Sequence, residues 1–192
     1  MHIAGCLEGG QAIPLRLCWA GHHNSHPSTI SGKPLIVAQP YTGFDPFTPA
    51  EKEARLTAQR QTANYLHLLQ LRLEDLEPGY ARMVLPFRQE ISHSGGVVQG
   101  GLLTTLADSC IAHATIAAST PDQYVTTIEV KINFIRAAKS TDCIAQAALL
   151  HLGRRTAVGE AEIRDPDGRM IAKCLSSLMV LPAEGKQGPG AS

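Results

Sequence analysis

A single carboxylate, Asp108, is the strongest candidate for chemistry in this chain. It is the only Asp, Glu, Lys or Arg between Ile91 and Pro121, a stretch made mostly of small and apolar residues. An ionised carboxylate is costly to bury without partners, so we expect the chain to use one that it keeps in such surroundings. A carboxylate of this kind can activate water as a general base or attack a carbonyl carbon as a nucleophile.

Two glycines, Gly100 and Gly101, stand where the helix that carries Asp108 is predicted to begin. The first N–H groups of a helix lack intrahelical acceptors, and the positive end of the helix dipole adds to their pull on an anion. Such donors suit a developing oxyanion. Eight residues separate Gly100 from Asp108, which is about 12 Å along a helix axis. An aspartate side chain cannot close that gap within one chain.

Other candidate groups carry weaker signals. His113 falls about 140° around the helix from Asp108, which favours a core or interface role. Cys110 has no spacing that supports a nucleophilic pair with His93. The five cysteines are odd in number and form no CxxC pair, so neither a disulfide framework nor a zinc site is predicted. We expect no metal and no cofactor, and we interpret the histidines at 22–26 as part of a solvated tail.

The overall charge narrows the choice of partners. Lys and Arg number 17, as do Asp and Glu, so the charge gives no reason to expect binding to nucleic acid or an anionic membrane. The run from Val97 to Ala118 is long enough to raise the question of a membrane span. Its glycines, threonines, Asp108, Ser109 and His113 would make insertion expensive, so a buried helix is predicted. We expect a cytoplasmic protein with reduced cysteines.

The chain divides into an extension, a domain and a tail. Residues 1–44 are rich in Gly, Pro, Ser and His and are predicted to be poorly ordered, residues 45–182 to form the domain, and residues 183–192 to form a loose tail. Thr48, Pro49 and Glu51 predict a capped helix that runs to about Asn64. Strands are predicted at 66–76, 80–87, 124–135, 142–152, 156–164 and 170–181, with a helix at about 100–119.

Two features of this pattern indicate how the elements pack. In the strand at 124–135 the alternation places Ile128, Val130, Ile132 and Phe134 on one face and Thr127, Glu129, Lys131 and Asn133 on the other. The order of elements predicts an α+β fold with an antiparallel sheet packed on a helix. A helix that is apolar nearly all round must be enclosed, so we expect the sheet to curl or a second subunit to cover it.

Three motifs, in order, resemble the hotdog-fold acyl-CoA thioesterases of the PaaI type. The first is the run from Gln99 to Asp108, QGGLLTTLAD, which is similar to the family's His-Gly-Gly followed by Leu-Ala-Asp on the central helix. The second is the strand TIEVKINFIR at 127–136. The third combines LGRR at 152–155 with DPDGRMIA at 165–172. The resemblance covers about 48–182 and implies a hotdog fold and thioester hydrolysis.

The resemblance also implies roles for particular residues. Asp108 is the expected nucleophile or general base, the Gly100 N–H is expected to polarise the thioester carbonyl beside Gly101, and Thr127 to orient water. Two positions depart from the family's pattern: Gln99 replaces a His, and His93 stands where Asn or Gln is common. Both are expected to contact substrate as hydrogen-bond donors.

The family's shared interfacial site agrees with the 12 Å spacing above. We therefore expect a homodimer, or a tetramer built from dimers, in which Gly100 of one chain faces Asp108 of the other. Arg136, Arg154 and Arg155 are expected to meet the phosphates of an acyl-CoA substrate. Two alternatives stay open: a non-catalytic module that binds acyl-CoA, which the departures at His93 and Gln99 motivate, and another hotdog enzyme such as a hydratase. The sequence also leaves the acyl group and the choice between an anhydride and direct attack by water open.

Overall fold

The central feature of the fold is one long helix packed against a six-stranded antiparallel sheet. A computed structural model describes residues 44–62 and 64–183, so the predicted extension before Phe44 and the tail after Ala183 lie outside the described residues. The elements are α1 (Pro49–Thr62), α2 (Asn64–Leu69), β1 (Arg72–Glu77), β2 (Tyr80–Leu85), a 3-10 turn (Gln89–Ile91), β3 (Ser92–His93), β4 (Val97–Val98), α3 (Gly100–Ala118), β5 (Gln123–Phe134), β6 (Cys143–Leu152), β7 (Thr156–Arg164) and β8 (Met170–Pro182).

The sheet has the strand order β1-β2-β6-β7-β8-β5, and every neighbouring pair is antiparallel. Strands β3 and β4 form a separate two-stranded ribbon that leads into α3. Helix α3 packs against β1, β2 and β5 to β8. The approach is close at Gly159 of β7, where an added Cβ would lie 2.6 Å from Cγ2 of Ile111. The predicted α+β hotdog fold is confirmed.

The first described helix begins as the sequence predicts. The backbone N–H of Thr48 donates to Oε2 of Glu51 at 2.9 Å, and the N–H of Glu51 donates back to Oγ1 of Thr48 at 3.3 Å. This reciprocal pair is a capping box. Lys52, one residue later, forms ion pairs with Asp75 at 2.5 Å and Glu77 at 2.7 Å, and these tie α1 to β1.

The predicted strand at 66–76 is wrong in its first half, where the chain forms α2. Leu66 is buried and Leu69 is half-buried, whereas Leu68 is 78% exposed. A strand would have placed Leu66 and Leu68 on the same buried face, but a spacing of three residues suits one face of a helix. The helix ends at Leu69, and the next residue, Gln70, has a φ of +54°. The strand then begins at Arg72.

Helix α3 is enclosed on most of its circumference, and one strip stays open. The strip runs along positions three or four residues apart: Gly101 is exposed, Thr105, Asp108 and Ala112 are half-buried, and Ile116 is 38% exposed. Among the described helices only α3 is long and apolar enough to cross a membrane. Its ten buried residues pack within the domain, which is the environment of a core helix rather than of a membrane span.

A bulge in β5 changes which residues face α3. The pairing of β5 with β8 shifts register between Thr127 and Glu129, so Ile128 is inserted and lies 56% exposed. The predicted division of this strand into two faces is therefore wrong at Thr127 and Ile128, whereas the predicted alternation is found from Glu129 to Phe134. A bulge reverses the alternation, because two residues of one strand oppose a single residue of the other. Thr127 thus lies on the helix-facing side together with Val130, and not on the opposite side as predicted.

Candidate active site

Asp108 and Thr127 form a direct pair on the open strip of α3. Oγ1 of Thr127 donates a hydrogen bond to Oδ1 of Asp108 over 2.9 Å. Both residues are half-buried, and the β5 bulge is what turns the threonine toward the helix. Bulges are common where a side chain must be aimed at an active site. The hydroxyl of Thr127 thus holds one oxygen of the Asp108 carboxylate. Among the described residues, no other side chain is seen to donate a hydrogen bond to this carboxylate.

Two opposing effects act on the Asp108 carboxyl. Burial raises its pKa above the ordinary value, and the hydrogen bond from Thr127 works in the opposite direction by stabilising the ionised form. Cys174 of β8 lies close enough to feel the charge. Burial, with a smaller contribution from the negative charge of Asp108, raises the pKa of this thiol to about 11. Cys174 is therefore a neutral neighbour of the carboxylate, which sequence spacing did not indicate.

The start of α3 presents free backbone donors. Gln99 is the N-cap residue, and its Oε1 accepts the N–H of Leu102 at 3.1 Å. Gly100 and Gly101 occupy the first two helical positions, where an N–H has no acceptor within the helix. An added Cβ at Gly101 would lie 2.8 Å from Oε1 of Gln99. Gln99 thus supports the helix start, and its amide oxygen is already in use.

A cavity of about 300 Å³ lies next to these donors. Of the predicted site residues, His93, Gly100 and Arg136 line it, together with Phe134 from the end of β5. The ring of His93 is exposed, with Nδ1 3.3 Å from the carbonyl oxygen of Ser94. Nη1 of Arg136 donates to the carbonyl oxygen of Met170 at 3.0 Å. No pattern in the sequence marks Phe134 as a residue that lines this cavity.

The other two predicted phosphate ligands lie elsewhere in the same chain. Arg154 and Arg155 are exposed in the turn between β6 and β7. The carbonyl oxygen of Arg155 accepts the N–H of Val180, a residue that pairs with Val125 near the start of β5. Arg136 follows the opposite end of β5. Within one chain the structure therefore does not bring Arg154 and Arg155 together with Arg136.

The remaining candidates on α3 have structural roles. Cys110 is fully buried, and its thiol donates to the carbonyl oxygen of Ala81 at 3.3 Å. His113 is also buried, with Nδ1 2.6 Å from the carbonyl oxygen of Ser109, and burial lowers its pKa. Neither is placed to act with His93. In the part of the chain that the structure describes, no three His, Cys, Asp or Glu side chains come close enough to hold a metal ion.

Comparison with known protein families connects this arrangement to an enzyme class. The family model described as "Thioesterase superfamily" matches residues 95–172. The match spans α3 with Gly100 and Asp108, all of β5 with Thr127, strands β6 and β7, and the first residues of β8. The chain belongs to the thioesterase superfamily.

Individual relatives agree with the family assignment. The 1,4-dihydroxy-2-naphthoyl-CoA hydrolase of Escherichia coli is 28% identical over 114 residues, which are 59% of this chain and 82% of the relative. A conserved Pseudomonas aeruginosa protein of known structure is 33% identical, with a TM-score of 0.60 over 64% of this chain and 98% of that one. The Escherichia coli PaaI protein is 18% identical, with a TM-score of 0.62 over 67% and 92% of the two chains, and supports the fold alone.

The geometry of this thioesterase-superfamily chain divides the site into two parts. Asp108 and Thr127 supply a carboxylate that can act on water or on a carbonyl carbon, and Gly100 with the cavity supplies donors for a carbonyl oxygen. The two parts lie about 12 Å apart along α3. In one chain they do not meet, so each has half of the chemistry that a hydrolase needs.

Asp108→Asn is expected to raise the thermal unfolding midpoint at neutral pH. Burial raises the folded-state pKa of this acid, so its ionised form destabilises the fold at all pH values above that raised pKa. The destabilisation disappears below the ordinary pKa of aspartate, where the acid is protonated in both folded and unfolded chains. Calorimetry across acidic to neutral pH should therefore show a gain in stability that shrinks as the pH falls.

Asp122→Asn is the matched control for this measurement. Asp122 is exposed, and the hydroxyl of Thr120 lowers its pKa through a hydrogen bond. Its ionised form therefore stabilises the fold, and the substitution should give no gain at neutral pH. An Asp108→Asn protein that is no more stable than wild type at neutral pH would contradict the assigned burial cost.

Proposed function

We propose that the protein hydrolyses acyl-CoA thioesters at a composite site formed by two copies of the chain. The observation that carries this proposal is the Asp108–Thr127 pair, a half-buried carboxylate with a single hydroxyl donor on a strip of α3 that the fold leaves open. An ionised carboxylate that is half-buried costs free energy, and a catalytic role for Asp108 accounts for this cost. The relationship to a naphthoyl-CoA hydrolase supports a CoA thioester as the substrate class.

A second chain is needed to complete the site. The open strip and the adjacent β5 edge offer a place for it. Strand β5 is the last strand of the sheet and is twelve residues long, so one of its edges has no strand partner among the described residues. An unpaired edge of this length is a template for a further strand. Pairing two β5 edges antiparallel would turn the two α3 helices in opposite directions and set their open strips together.

Charges on β5 favour one register for this pairing. Residues directly opposite each other in antiparallel strands point to the same face, so the two-fold axis passes through a pair of identical residues. With the axis at Val130, each Glu129 lies opposite the partner subunit's Lys131. With the axis one residue later, Lys131 would lie opposite the partner subunit's Lys131. Opposite charges across strands stabilise a sheet and like charges destabilise it, which favours the axis at Val130.

This register joins the two halves of the site. Thr127, and with it Asp108, would lie near the level of the partner's residues 132–134. The ring of Phe134 contacts Gly100 in each chain, so the partner's helix start would approach Asp108. Arg155, level with Val125, would approach the end of the partner's β5, which Arg136 follows. Arg155 of one chain and the arginine that follows the partner's β5 would then lie at the same entrance to the site, where the phosphates of CoA could bind.

The chemistry at this site can be written with balanced atoms. The N–H of Gly100, at the positive end of α3, donates a hydrogen bond to the carbonyl oxygen and stabilises the negative charge that develops there. In one route Asp108 takes a proton from water, the water oxygen bonds to the carbonyl carbon, the C–S bond breaks, and the proton passes to the CoA thiolate. In the other route an Asp108 oxygen attacks the carbonyl carbon and expels CoA thiolate. Water then opens the mixed anhydride, which releases the free acid and restores the Asp108 carboxylate, and the CoA thiolate takes up the proton that the free acid gives to solvent.

The activity is tested with a panel of acyl-CoA substrates on wild type and on Asp108→Asn. Wild type is expected to turn over at least one thioester, and Asp108→Asn to lower kcat by about 10²–10⁴-fold, because the amide cannot accept a proton or attack a carbonyl. The Asp122→Asn protein is the control and should keep wild-type turnover. Equal kcat values in Asp108→Asn and wild type would rule out the carboxylate mechanism. Binding of CoA without hydrolysis by wild type would indicate a binding module instead.

The role of Thr127 is tested by the pH dependence of kcat/KM. Asp108 must be ionised to act, so activity falls as the pH drops through its raised pKa. Thr127→Val removes the hydroxyl that stabilises the ionised form, so the acidic limb of the profile should move to higher pH. Thr127→Ser keeps the donor and should leave the limb near its wild-type position. An unmoved limb in Thr127→Val would separate Thr127 from the titrating group.

A further inference from the structure

Phe134 lies beside Gly100, the residue that carries the proposed oxyanion donor. It is the last residue of β5, and its ring faces the first residue of α3. A Cβ added at Gly100 would lie 3.3, 3.5 and 3.7 Å from three carbons of this ring, and these are its three nearest neighbours. The ring is nevertheless 55% exposed. A large apolar side chain thus stands beside the donor with more than half of its surface available for contact.

The backbone that carries this ring is firmly held. Phe134 pairs with Ala172 of β8. The next two N–H groups, of Ile135 and Arg136, both donate to the carbonyl oxygen of Ile171, at 2.8 and 3.1 Å. Because the strand end is fixed on both sides of the residue, the ring cannot move far from Gly100 without a rotamer change.

The ring also forms a wall of the cavity beside the donor. Apart from His93 and Arg136, the side chains that line this cavity are apolar, among them Val97, Val98 and Leu103. No acidic residue lines it. Such a lining suits the hydrocarbon part of a ligand, with polar groups left at the edge to fix its orientation.

We propose that Phe134 determines which acyl groups the enzyme accepts, by limiting the length of the acyl chain that can bind beside Gly100. The inference rests on the proposed function, because it places the thioester carbonyl oxygen at the Gly100 N–H. A carbonyl bound there sets its acyl substituent within contact distance of the ring. Compact acyl groups, a short chain or a single ring, pack against Phe134, whereas a long chain meets the ring as an obstacle.

The same contact makes position 100 a close-packed one. A Cβ there would lie 3.3 Å from the nearest carbon of the Phe134 ring, so the ring would have to shift by a few tenths of an ångström. The Phe134 ring can therefore pack this closely because Gly100 has no side chain. Removing the ring should open space at the donor without removing the donor itself.

The test compares kcat/KM for butanoyl-, benzoyl- and dodecanoyl-CoA in wild type, Phe134→Leu and Phe134→Ala. Wild type should favour the two compact substrates. Phe134→Ala should raise the ratio of dodecanoyl-CoA to butanoyl-CoA by at least about 10-fold, since single-methylene differences in an apolar pocket already change selectivity by about 10–200-fold. Phe134→Leu should move the ratio in the same direction by less. Leu175→Ala, which removes an exposed leucine from β8, is the control and should leave the ratio unchanged.

The outcomes separate this inference from the proposed function. Active variants with the wild-type ratio would overturn the role of Phe134 and leave thioester hydrolysis standing. A uniform loss of activity on all three substrates, with dissociation seen by light scattering, would assign the ring to the subunit interface and overturn selection by length. A wild-type protein that is inactive on the whole panel would overturn both proposals. If Phe134→Ala does not fold, the ratio in Phe134→Leu decides.

Discussion

The hydrogen bond from Thr127 to Asp108 is the interaction on which the account depends. It is the one described side-chain bond to a carboxylate that is half-buried on an otherwise apolar helix. Burial raises the pKa of this acid, and the threonine hydroxyl keeps the ionised form accessible. The sheet around α3 supplies the apolar surroundings, and the β5 bulge supplies the hydroxyl. The sheet, α3 and the β5 bulge together thus hold the Asp108 carboxylate in a half-buried position that stays open to water.

The distance between that charge and the helix start is the reason that the proposed chemistry requires a second subunit. A helix rises about 1.5 Å per residue, so no rearrangement of side chains brings Asp108 to Gly100 within one chain. The open strip of α3 and the free edge of β5 lie side by side, and both are features that a second copy could cover. The opposite charges of Glu129 and Lys131 give such a copy a preferred register. In this account an isolated subunit has a fold but no complete site.

The sequence predicts much of the framework because its signals are local. The Thr48–Glu51 capping box, the extent of α3 and the four strands after it depend on neighbouring residues, and they are found where the pattern places them. The errors arise where tertiary packing decides. A strand pattern gave no sign of the inserted Ile128, which turned Thr127 toward Asp108. The apolar run at 66–69 could form either element, and packing of Leu66 selected the helix.

The candidate site was predictable in its parts and not in its arrangement. Gly100 and Asp108 carry types and a spacing that indicate chemistry, whereas Phe134 reads as an ordinary strand residue until its ring is seen against Gly100. Gln99 was expected to contact substrate as a hydrogen-bond donor, and the structure adds a second role, because its Oε1 caps α3. The separation of Arg136 from Arg154 and Arg155 follows from strand direction and register, which single-residue patterns do not encode.

The most direct test of the shared site is a subunit-mixing experiment with two inactive proteins. Gly100→Pro removes the donor while keeping the helix start, since proline suits a first helical position and Gln99 already has the extended backbone that precedes proline. Gly100→Ala retains the N–H and controls for the added carbon. Mixing Gly100→Pro with Asp108→Ala under conditions that exchange subunits should restore about a quarter of wild-type activity, because half of the dimers are mixed and each holds one intact site of two. Mixtures that stay as inactive as their components would contradict a site shared between two chains.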